Sequence, residues 1–263
     1  MNAILKEQKS LIVVGDKFTC FGSIPGAITA SKLARIMEGY DKETPMPKVV
    51  VFGQGLSESW IEFFKSTNVE NNLKIVFIED KTSPVRAGRS QAHKVNRKNV
   101  LISSPSEVGE NQFSMQLRLD DDCEIMADHT TGHHIQGMVL IEAARQSFLA
   151  VTEKFYLSKD KSYYFVINNM DVNYKKFAFP IETKINFDIT SVKSIKDERF
   201  SATTDIDFIQ NGESICTVNV KYTAILNENL SKKERDMAEE SLKFALESQG
   251  LNPQLTPCLS EAV

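Results

Sequence analysis

The chain has 263 residues, of which 41% are hydrophobic, and a formal net charge of -4 at pH 7. This length suffices for a buried core, in one large domain or two small ones. The negative charge gives no general attraction to nucleic acid or to an anionic membrane surface, so neither is an expected partner. The first residues lack the apolar core of a signal peptide, and no run of about eighteen apolar residues follows. Together with four scattered cysteines, this predicts a soluble, cytoplasmic protein.

Residues 1–80 are predicted to form a small α/β domain with a parallel sheet. β-branched runs alternate with helical patterns in this part of the chain, which is typical of parallel α/β units. The predicted strands and helices are, in order, Leu11–Val14, Ala27–Tyr40, Lys48–Phe52, Leu56–Lys65 and Lys74–Ile78.

Glycines follow two of these strands, at Gly15, Gly53 and Gly55. Glycines between a strand and a helix can cradle a phosphate. Here no third glycine completes a dinucleotide fingerprint, and no P-loop lysine follows. A structural or docking domain is therefore the default interpretation, and binding of a nucleotide or a sugar phosphate is the minority one.

Residues 81–98 are interpreted as a linker. They are rich in Pro, Gly, Ser and basic residues and have no apolar period. Their six Lys and Arg residues suit either the phosphates of an acyl carrier or simple solvation, and solvation is the default. For His93, within this segment, we expect an exposed or capping role.

From Asn99 the pattern becomes β-type on both sides of one long helix. The predicted strands show alternation or β-branched enrichment. They are Val100–Ser103, Gln112–Leu119, Tyr163–Val172, Glu182–Val192, Phe200–Gln210 and Glu213–Leu226. Asn211 and Gly212, between the last two, are a strong hairpin signal.

The long helix begins after Gly137 and is apolar almost all round, which indicates a buried helix. Glu142, Arg145 and Gln146 interrupt the apolar surface at helical spacing, so they share one face. The simplest interpretation is that Glu142 and Arg145 pair with each other on a partly solvated side.

Three of the four histidines, His129, His133 and His134, lie just before this helix. Histidine is well placed to exchange protons near neutral pH. His129 and His133 are four residues apart, which raises the alternative of a metal site. The Gly and Thr residues between them indicate a loop, and no Cys pair stands nearby at ligand spacing, so no metal and no cofactor is expected.

Residues 128–146, DHTTGHHIQGMVLIEAARQ, resemble the core motif of the A-factor biosynthesis family of hotdog proteins. They are more distantly similar to the hotdog β-hydroxyacyl carrier-protein dehydratases. Gly132 stands where relatives often have an acid, and Gln136 where they often have Pro. The resemblance implies a fold of class α+β, a hotdog domain over residues 99–228 in which an antiparallel sheet surrounds a central helix, preceded by the small α/β domain.

Members of the A-factor family typically contain two hotdog repeats, whereas this chain shows one. A single sheet leaves a strand edge uncovered, and exposed edges invite pairing. By resemblance to the single-repeat dehydratases, we expect a homodimer.

The resemblance also implies chemistry on an acyl thioester carried by an acyl carrier protein or coenzyme A. A β-ketoacyl group would pass to a glycerol-type phosphate such as dihydroxyacetone phosphate, in butyrolactone- or butenolide-like secondary metabolism. The thioester carbonyl would meet the backbone N–H groups of Gly137 and Met138. His129 would be the general base, with His133 as a second candidate, and His134 would be structural.

Four further assignments complete this site. Glu142 would orient the base or shuttle the proton, and Arg145 would hold Glu142 or bind the phosphate. Asp128 and Gln146 would support them. The same groups could instead run dehydration, with His129 taking the α-proton and Glu142 protonating the leaving hydroxyl, or thioester hydrolysis. The non-enzymatic alternative is an acyl-binding or scaffold protein.

Residues 229–263 are predicted to form a C-terminal helix and tail. Ser231 and Glu234 form a capping box for a helix over Ser231–Ser248. Its narrow apolar stripe, which includes Leu242 and Phe244, is expected to pack on the outside of the sheet or on a partner.

Overall fold

The computed structural model describes residues 10–41, 45–78, 85–127, 132–195 and 198–251, with the backbone alone at residues 229 and 230. Asp128 and His129, the predicted supporting acid and general base, lie outside the described residues.

The described part of the N-terminal unit is a parallel sheet with two helices, as predicted, and the sheet has four strands where three were predicted. Its elements are β1 (Ser10–Val14), β2 (Ala27–Thr29), α1 (Ala30–Glu38), β3 (Val49–Phe52), α2 (Glu58–Glu70) and β4 (Val76–Ile78). The strand order is β2-β1-β3-β4, and every pair is parallel. The helix predicted over Ala27–Tyr40 begins three residues later, because Ala27–Thr29 pair with β1 as a strand.

The glycines of this unit mediate close packing against the rest of the chain. A Cβ atom at Gly15 would lie 1.9 Å from the Gly55 carbonyl oxygen, and one at Gly53 would lie 2.5 Å from that of Pro180. The buried Gln54 side chain donates to the Leu117 carbonyl oxygen (2.9 Å) and accepts from Leu119 N–H (2.8 Å). These contacts support the structural interpretation of the glycines over phosphate binding.

Asp121 lies at the same junction, where its carboxyl group is partly buried. Its Oδ1 is buried and has no hydrogen-bond partner among the described residues. Burial, followed by the nearby Asp16 carboxylate, raises the pKa of Asp121 to about 6. The native state therefore disfavours the charged carboxylate. The free energy of unfolding consequently falls as pH rises from the ordinary pKa of 3.8 through the native pKa of about 6.

We expect the Asp121→Asn variant to be more stable than the parent at pH 8 by about 1 kcal/mol. A pKa rise of this size corresponds to a loss of about 3 kcal/mol in the free energy of unfolding. The expected effect is smaller because Asp121 is only half-buried, and solvent screens its charge. The gain should vanish below about pH 4, where the unfolded carboxyl is also protonated. Urea unfolding at both pH values measures it, and the exposed neighbour variant Asp122→Asn serves as control. A gain that persists at pH 4 would contradict this account.

Within the described residues, the second sheet has six strands, and all its strand pairs are antiparallel. Its strands are β5 (Ser106–Gly109), β6 (Gln112–Gln116), β7 (Tyr163–Tyr174), β8 (Lys184–Ile195), β9 (Arg199–Gln210) and β10 (Glu213–Leu226), in the order β5-β6-β8-β9-β10-β7. The predicted hairpin is confirmed, since Asn211 (φ 52°) and Gly212 (φ 79°) both have the positive φ that a type I′ turn needs.

Near the start of this sheet, one predicted segment forms no strand, and one observed strand was not predicted. Val100–Ser103 forms no strand, only single bridges at Ile102 and Ser103. β5 was not predicted, because its residues SEVG show no apolar alternation.

The long helix α3 (Gly137–Phe155) is the buried centre of this unit, as the hotdog fold requires. Val139, Leu140, Ala143 and Ala144 are all at most 1% exposed. Near its other end, Phe148 stacks on Tyr222 of β10 (ring centroids 4.5 Å apart). An antiparallel sheet around a buried helix confirms the predicted fold class.

Residues 85–98, predicted as part of a linker, instead pack against the hotdog core. Ala87 and Ala92 are buried, and Arg86 pairs with Ser103 in a β-bridge. The Arg86 guanidinium donates to the Val100 carbonyl oxygen (2.7 Å). Small residues and one buried cation hold this segment, and neither gives a periodic apolar pattern. The domain boundaries at residues 80, 98 and 228 remain predictions.

The C-terminal helix α4 spans Asn227–Ser248 and begins four residues before the predicted N-cap. β10 runs directly into it, so Ser231 lies inside the helix and caps nothing. Leu242 and Phe244 are 60% and 74% exposed, so they do not pack on the sheet. None of the described helices combines the length and hydropathy needed to cross a bilayer.

Candidate active site at the start of the central helix

A cavity of about 640 Å³ opens at the first turn of α3. Gly137 and Met138 form its floor, and His134, Tyr174, Lys175 and Phe177 contribute to its walls. Its volume lies in the range of small-molecule sites. The two residues that were predicted to receive a thioester carbonyl therefore border a space that could hold one.

The chain just before α3 leaves the first amides of this helix available. Ile135 N–H donates to the Ala178 carbonyl oxygen (2.7 Å), which ties the loop to the segment after β7. Gln136 is the N-cap, and its side chain donates to the Ile125 carbonyl oxygen instead of capping the helix. The first N–H groups of a helix have no partner within the helix and favour negative charge. Gly137 and Met138 provide such groups beside the cavity.

Gly137 also allows Tyr174 to approach the helix closely. A Cβ atom at position 137 would lie 2.7 Å from the Tyr174 hydroxyl and 2.8 Å from its ring carbon Cζ. Burial raises the pKa of the Tyr174 phenol, so the hydroxyl keeps its proton at neutral pH. Tyr174 is thus a hydrogen-bond donor at the site. Sequence reasoning missed it, because an aromatic residue ending a strand carries no distinguishing pattern.

The two described histidines of the motif occupy different surroundings. His134 lines the cavity, with its ring centroid 4.7 Å from that of Phe177. His133 is exposed. A structural role is predicted for His134 and the role of second candidate base for His133. Both roles remain predictions.

Glu142 lies one turn further along α3 and is held by three donors. Arg145 donates to both carboxylate oxygens, from Nε (2.8 Å) and Nη2 (2.9 Å). Lys94 Nζ lies 2.7 Å from Oε1, and Gln146 Nε2 donates to the same oxygen (2.9 Å). Burial alone would raise the pKa of Glu142, but these hydrogen bonds outweigh it and lower the pKa to about 2. Glu142 is therefore a carboxylate at neutral pH.

Gln146 and Lys94 link this cluster to the chain before the sheet. The buried Gln146 side chain accepts from Leu101 N–H (2.7 Å) and donates to the Asn99 carbonyl oxygen (2.8 Å), consistent with a supporting role. Lys94 was missed, because it belongs to a segment interpreted as linker. Arg145 contacts Glu142, and its role in holding Glu142 or in binding a phosphate remains a prediction.

Two lysines reach the cavity itself. Lys176 forms an ion pair with Glu213 (2.7 Å). Lys175 Nζ donates to the Ser214 hydroxyl (2.8 Å), which in turn donates to the Asp207 carboxylate (2.5 Å), so Lys175 is linked to Asp207 through Ser214. Lys175 is a cation that sequence reasoning did not place at the site.

The A-factor biosynthesis hotdog domain (AfsA) matches residues 76–226, more than half of the chain. The chain belongs to this family. No curated protein matches it. The resemblance marks Gly132 and Gln136 as departures from the motif of the A-factor hotdog family, and the structure shows the backbone setting of each.

Gly132 has φ 76°, which disfavours a side chain, and its added Cβ would lie 2.8 Å from Cys20 Sγ. Its carbonyl oxygen accepts from Phe21 N–H (2.9 Å), so the motif loop rests on the N-terminal unit. Gln136 has φ -64°, the value that proline itself would impose, so the backbone here suits both residues.

Several solved structures are distantly similar. A mutant thioesterase from Pseudomonas aeruginosa is 12% identical, covering 52% of this chain and 89% of that one (TM-score 0.39). A conserved protein of the same organism is 15% identical, covering 52% and 99% (TM-score 0.38). A hypothetical thioesterase with coenzyme A from Streptococcus pneumoniae is 14% identical, covering 47% and 86% (TM-score 0.33).

Proposed function

We propose that this protein processes an acyl thioester at the start of α3, transferring a β-ketoacyl group to a glycerol-type phosphate such as dihydroxyacetone phosphate. Membership of the A-factor hotdog family supports this proposal. The observation that carries it is the cavity at Gly137 and Met138, where two helix amides with no partner among the described residues border a space of substrate size. Amides at a helix N-terminus stabilise the oxyanion that forms when a thioester carbonyl is attacked.

The residue roles follow from charge and position. His129 would take the proton from the attacking hydroxyl, as its place in the motif implies. Tyr174, whose hydroxyl lies beside Gly137, would add a hydrogen bond to the carbonyl oxygen. Lys175 would bind the acceptor's phosphate, because it reaches the cavity while Arg145 is engaged by Glu142.

The ionisation of Glu142 favours transfer over dehydration. A dehydratase needs an acid that can protonate the leaving hydroxyl. A carboxyl group with a pKa of about 2 holds no proton to give near neutral pH. Glu142 would instead act as a fixed negative charge that orients its neighbours.

Product mass tests this proposal directly. The purified protein is incubated with β-ketoacyl and β-hydroxyacyl thioesters of coenzyme A and of an acyl carrier protein, with and without dihydroxyacetone phosphate. We expect an ester of the β-ketoacid that requires dihydroxyacetone phosphate and is lost in the His129→Asn variant. Free acid alone would mean thioester hydrolysis, and an α,β-unsaturated product would mean dehydration.

Unchanged substrates in every reaction would support the non-enzymatic alternative, an acyl-binding or scaffold protein. Binding of a β-ketoacyl thioester without turnover would then be the remaining activity. In that case the N-terminal unit would be the part that contacts another protein.

We further propose a homodimer joined through β7. This strand lies at the sheet edge next to β10 and carries the exposed side chains Tyr164 and Ile167. A long edge with apolar side chains favours pairing with another strand. Sedimentation velocity at micromolar concentration should give the mass of two chains. Ile167→Lys should shift the population towards monomer, whereas Val69→Lys on exposed α2 should not; a monomeric parent protein would refute this proposal.

A further inference from the structure

Two stretches of chain form the walls of the cavity at the start of α3. One is residues 134–136, just before the helix, and the other is residues 174–178, at and after the end of β7. The Ile135 N–H group donates to the Ala178 carbonyl oxygen (2.7 Å) and so joins the two walls. Both residues are buried, at 2% and 3% exposure. The shape of the cavity therefore depends on what holds these two stretches in place.

Phe21 of the N-terminal unit lies next to both walls. Its N–H group donates to the Gly132 carbonyl oxygen (2.9 Å), two residues before His134. Its ring pairs with that of Phe179 (centroids 6.0 Å apart), one residue after Ala178. Phe21 also packs against the core of the hotdog unit. One residue from outside the hotdog unit thus contacts the chain beside each wall.

A second contact from the N-terminal unit holds the neighbouring residue. The Gln54 N–H group donates to the Pro180 carbonyl oxygen (3.0 Å). Gly53 lies so close that an added Cβ atom would be 2.5 Å from the same oxygen. From the other side, the Gln210 side chain of β9 accepts from Phe179 N–H (3.0 Å) and donates to its carbonyl oxygen (2.7 Å). The chain after the second wall is therefore held between the two units.

The N-terminal unit is built as a firm support. It has its own core, in which Leu33, Met37 and Phe64 are fully buried. Val14 and Phe18 on its other side belong to the core of the hotdog unit, so the two units share an apolar junction. Close-packed side chains transmit a displacement and do not absorb it. A unit that served only to dock another protein would need no contact beside the cavity walls.

We propose that the N-terminal unit is part of the active site and that Phe21 is a positioning residue, which holds the two cavity walls at the spacing that the substrate requires. The proposal rests on the acyl-thioester function proposed above, because it assigns a support to that site. A site keeps its geometry only when the chain around it is itself locked by packing and hydrogen bonds. Phe21 acts through Gly132 and Phe179 and does not touch the reacting atoms.

Hydrogen exchange of the full chain, followed by mass spectrometry of peptides that contain Ile135, tests this support directly. Phe21→Ala removes the ring and keeps the N–H group. Because the walls then open more often, the Ile135 amide should exchange roughly tenfold faster than in the parent protein. Amides in the middle of α3 should keep their parental rates, since they report opening of the whole hotdog unit.

Phe63→Ala is the matched control. Phe63 is half-buried, as Phe21 is, and belongs to the same unit, but it packs against other rings of α2 and against the unit's own core. This variant should change the exchange rate of Ile135 by less than about twofold.

Thioester turnover gives the second measurement. In Phe21→Ala the KM for the thioester should rise roughly tenfold, because displaced walls no longer fit the substrate. A smaller folded fraction would lower the apparent kcat and leave KM unchanged, so KM separates positioning from stability. Phe21→Tyr keeps the ring and should restore the parental KM. Phe179→Ala should resemble Phe21→Ala, and the double variant should be no worse than either, because both changes remove the same contact.

Parental exchange of Ile135 in Phe21→Ala, or an equal increase in Phe63→Ala, would overturn the proposal, as would a parental KM despite faster exchange. Hydrogen exchange needs no substrate. A parent protein without turnover would therefore refute the acyltransfer proposal, while the exchange rates would still decide whether Phe21 holds the walls.

Discussion

Replacing Gly137 with alanine is expected to lower kcat/KM for thioester turnover about hundredfold. The added methyl group would lie within 3 Å of the Tyr174 hydroxyl and ring, so the ring must leave its position beside the start of α3 and its hydroxyl is lost as a donor there. Loss of one oxyanion donor typically costs a factor of about 100 to 1,000. Alanine is a better helix former than glycine, so loss of α3 itself is not the cause.

A double-mutant cycle separates this effect from general damage. The Tyr174→Ala variant removes the ring that the methyl group would meet, and by itself should cost less than the Gly137→Ala change. In the Tyr174→Ala background, the alanine at position 137 should have little further effect, because the clash is gone. Activity of Gly137→Ala within threefold of the parent would show that the carbonyl does not bind at this helix end.

Replacing Glu142 with glutamine should lower the free energy of unfolding by about 2 kcal/mol at pH 7. The lowered pKa means that the charged carboxylate stabilises the native state above pH 4.5, and that this contribution is lost as pH falls through about 2. A pKa shift from 4.5 to about 2 corresponds to about 3 kcal/mol in the free energy of unfolding. Partial solvation of Glu142 reduces this contribution. Removing the acid also leaves Lys94 and Arg145 without their partner.

Urea unfolding of the parent and Glu142→Gln at pH 7 and pH 3 provides the measurement. The difference between them should shrink towards the lower pH. Glu239→Gln, which breaks the exposed pair with Arg235, should change stability much less than Glu142→Gln and serves as control. An equal loss at both pH values would mean that side-chain shape matters at position 142, and not its charge.

Local patterns in the sequence were enough to predict the main elements. Alternating apolar residues gave β8, β9 and β10, and Asn211-Gly212 gave the hairpin between the last two. The dense apolar run after Gly137 gave the buried helix α3. Each of these signals operates between residues that are neighbours along the chain, so it can be read without knowing the fold.

The site residues that the sequence patterns did not predict have one feature in common. Each reaches the site through contact with a residue far away in the sequence. Lys94 reaches Glu142 only because the segment 85–98 packs along α3. Tyr174 reaches Gly137 only because β7 ends beside the start of the same helix. The glycines after β1 and β3 do not belong to this group of unpredicted residues, because a structural role was the default prediction and they allow close packing at the junction with the hotdog unit.

The sequence by itself determined the family, the fold class and the position of the central helix, because a motif of neighbouring residues and the period of apolar side chains specify them. That three donors hold the Glu142 carboxylate, and that Tyr174 and Lys175 border the cavity, is evident only in the folded chain. The reason is that ionisation and pocket shape depend on which distant groups meet, and folding alone brings those groups together.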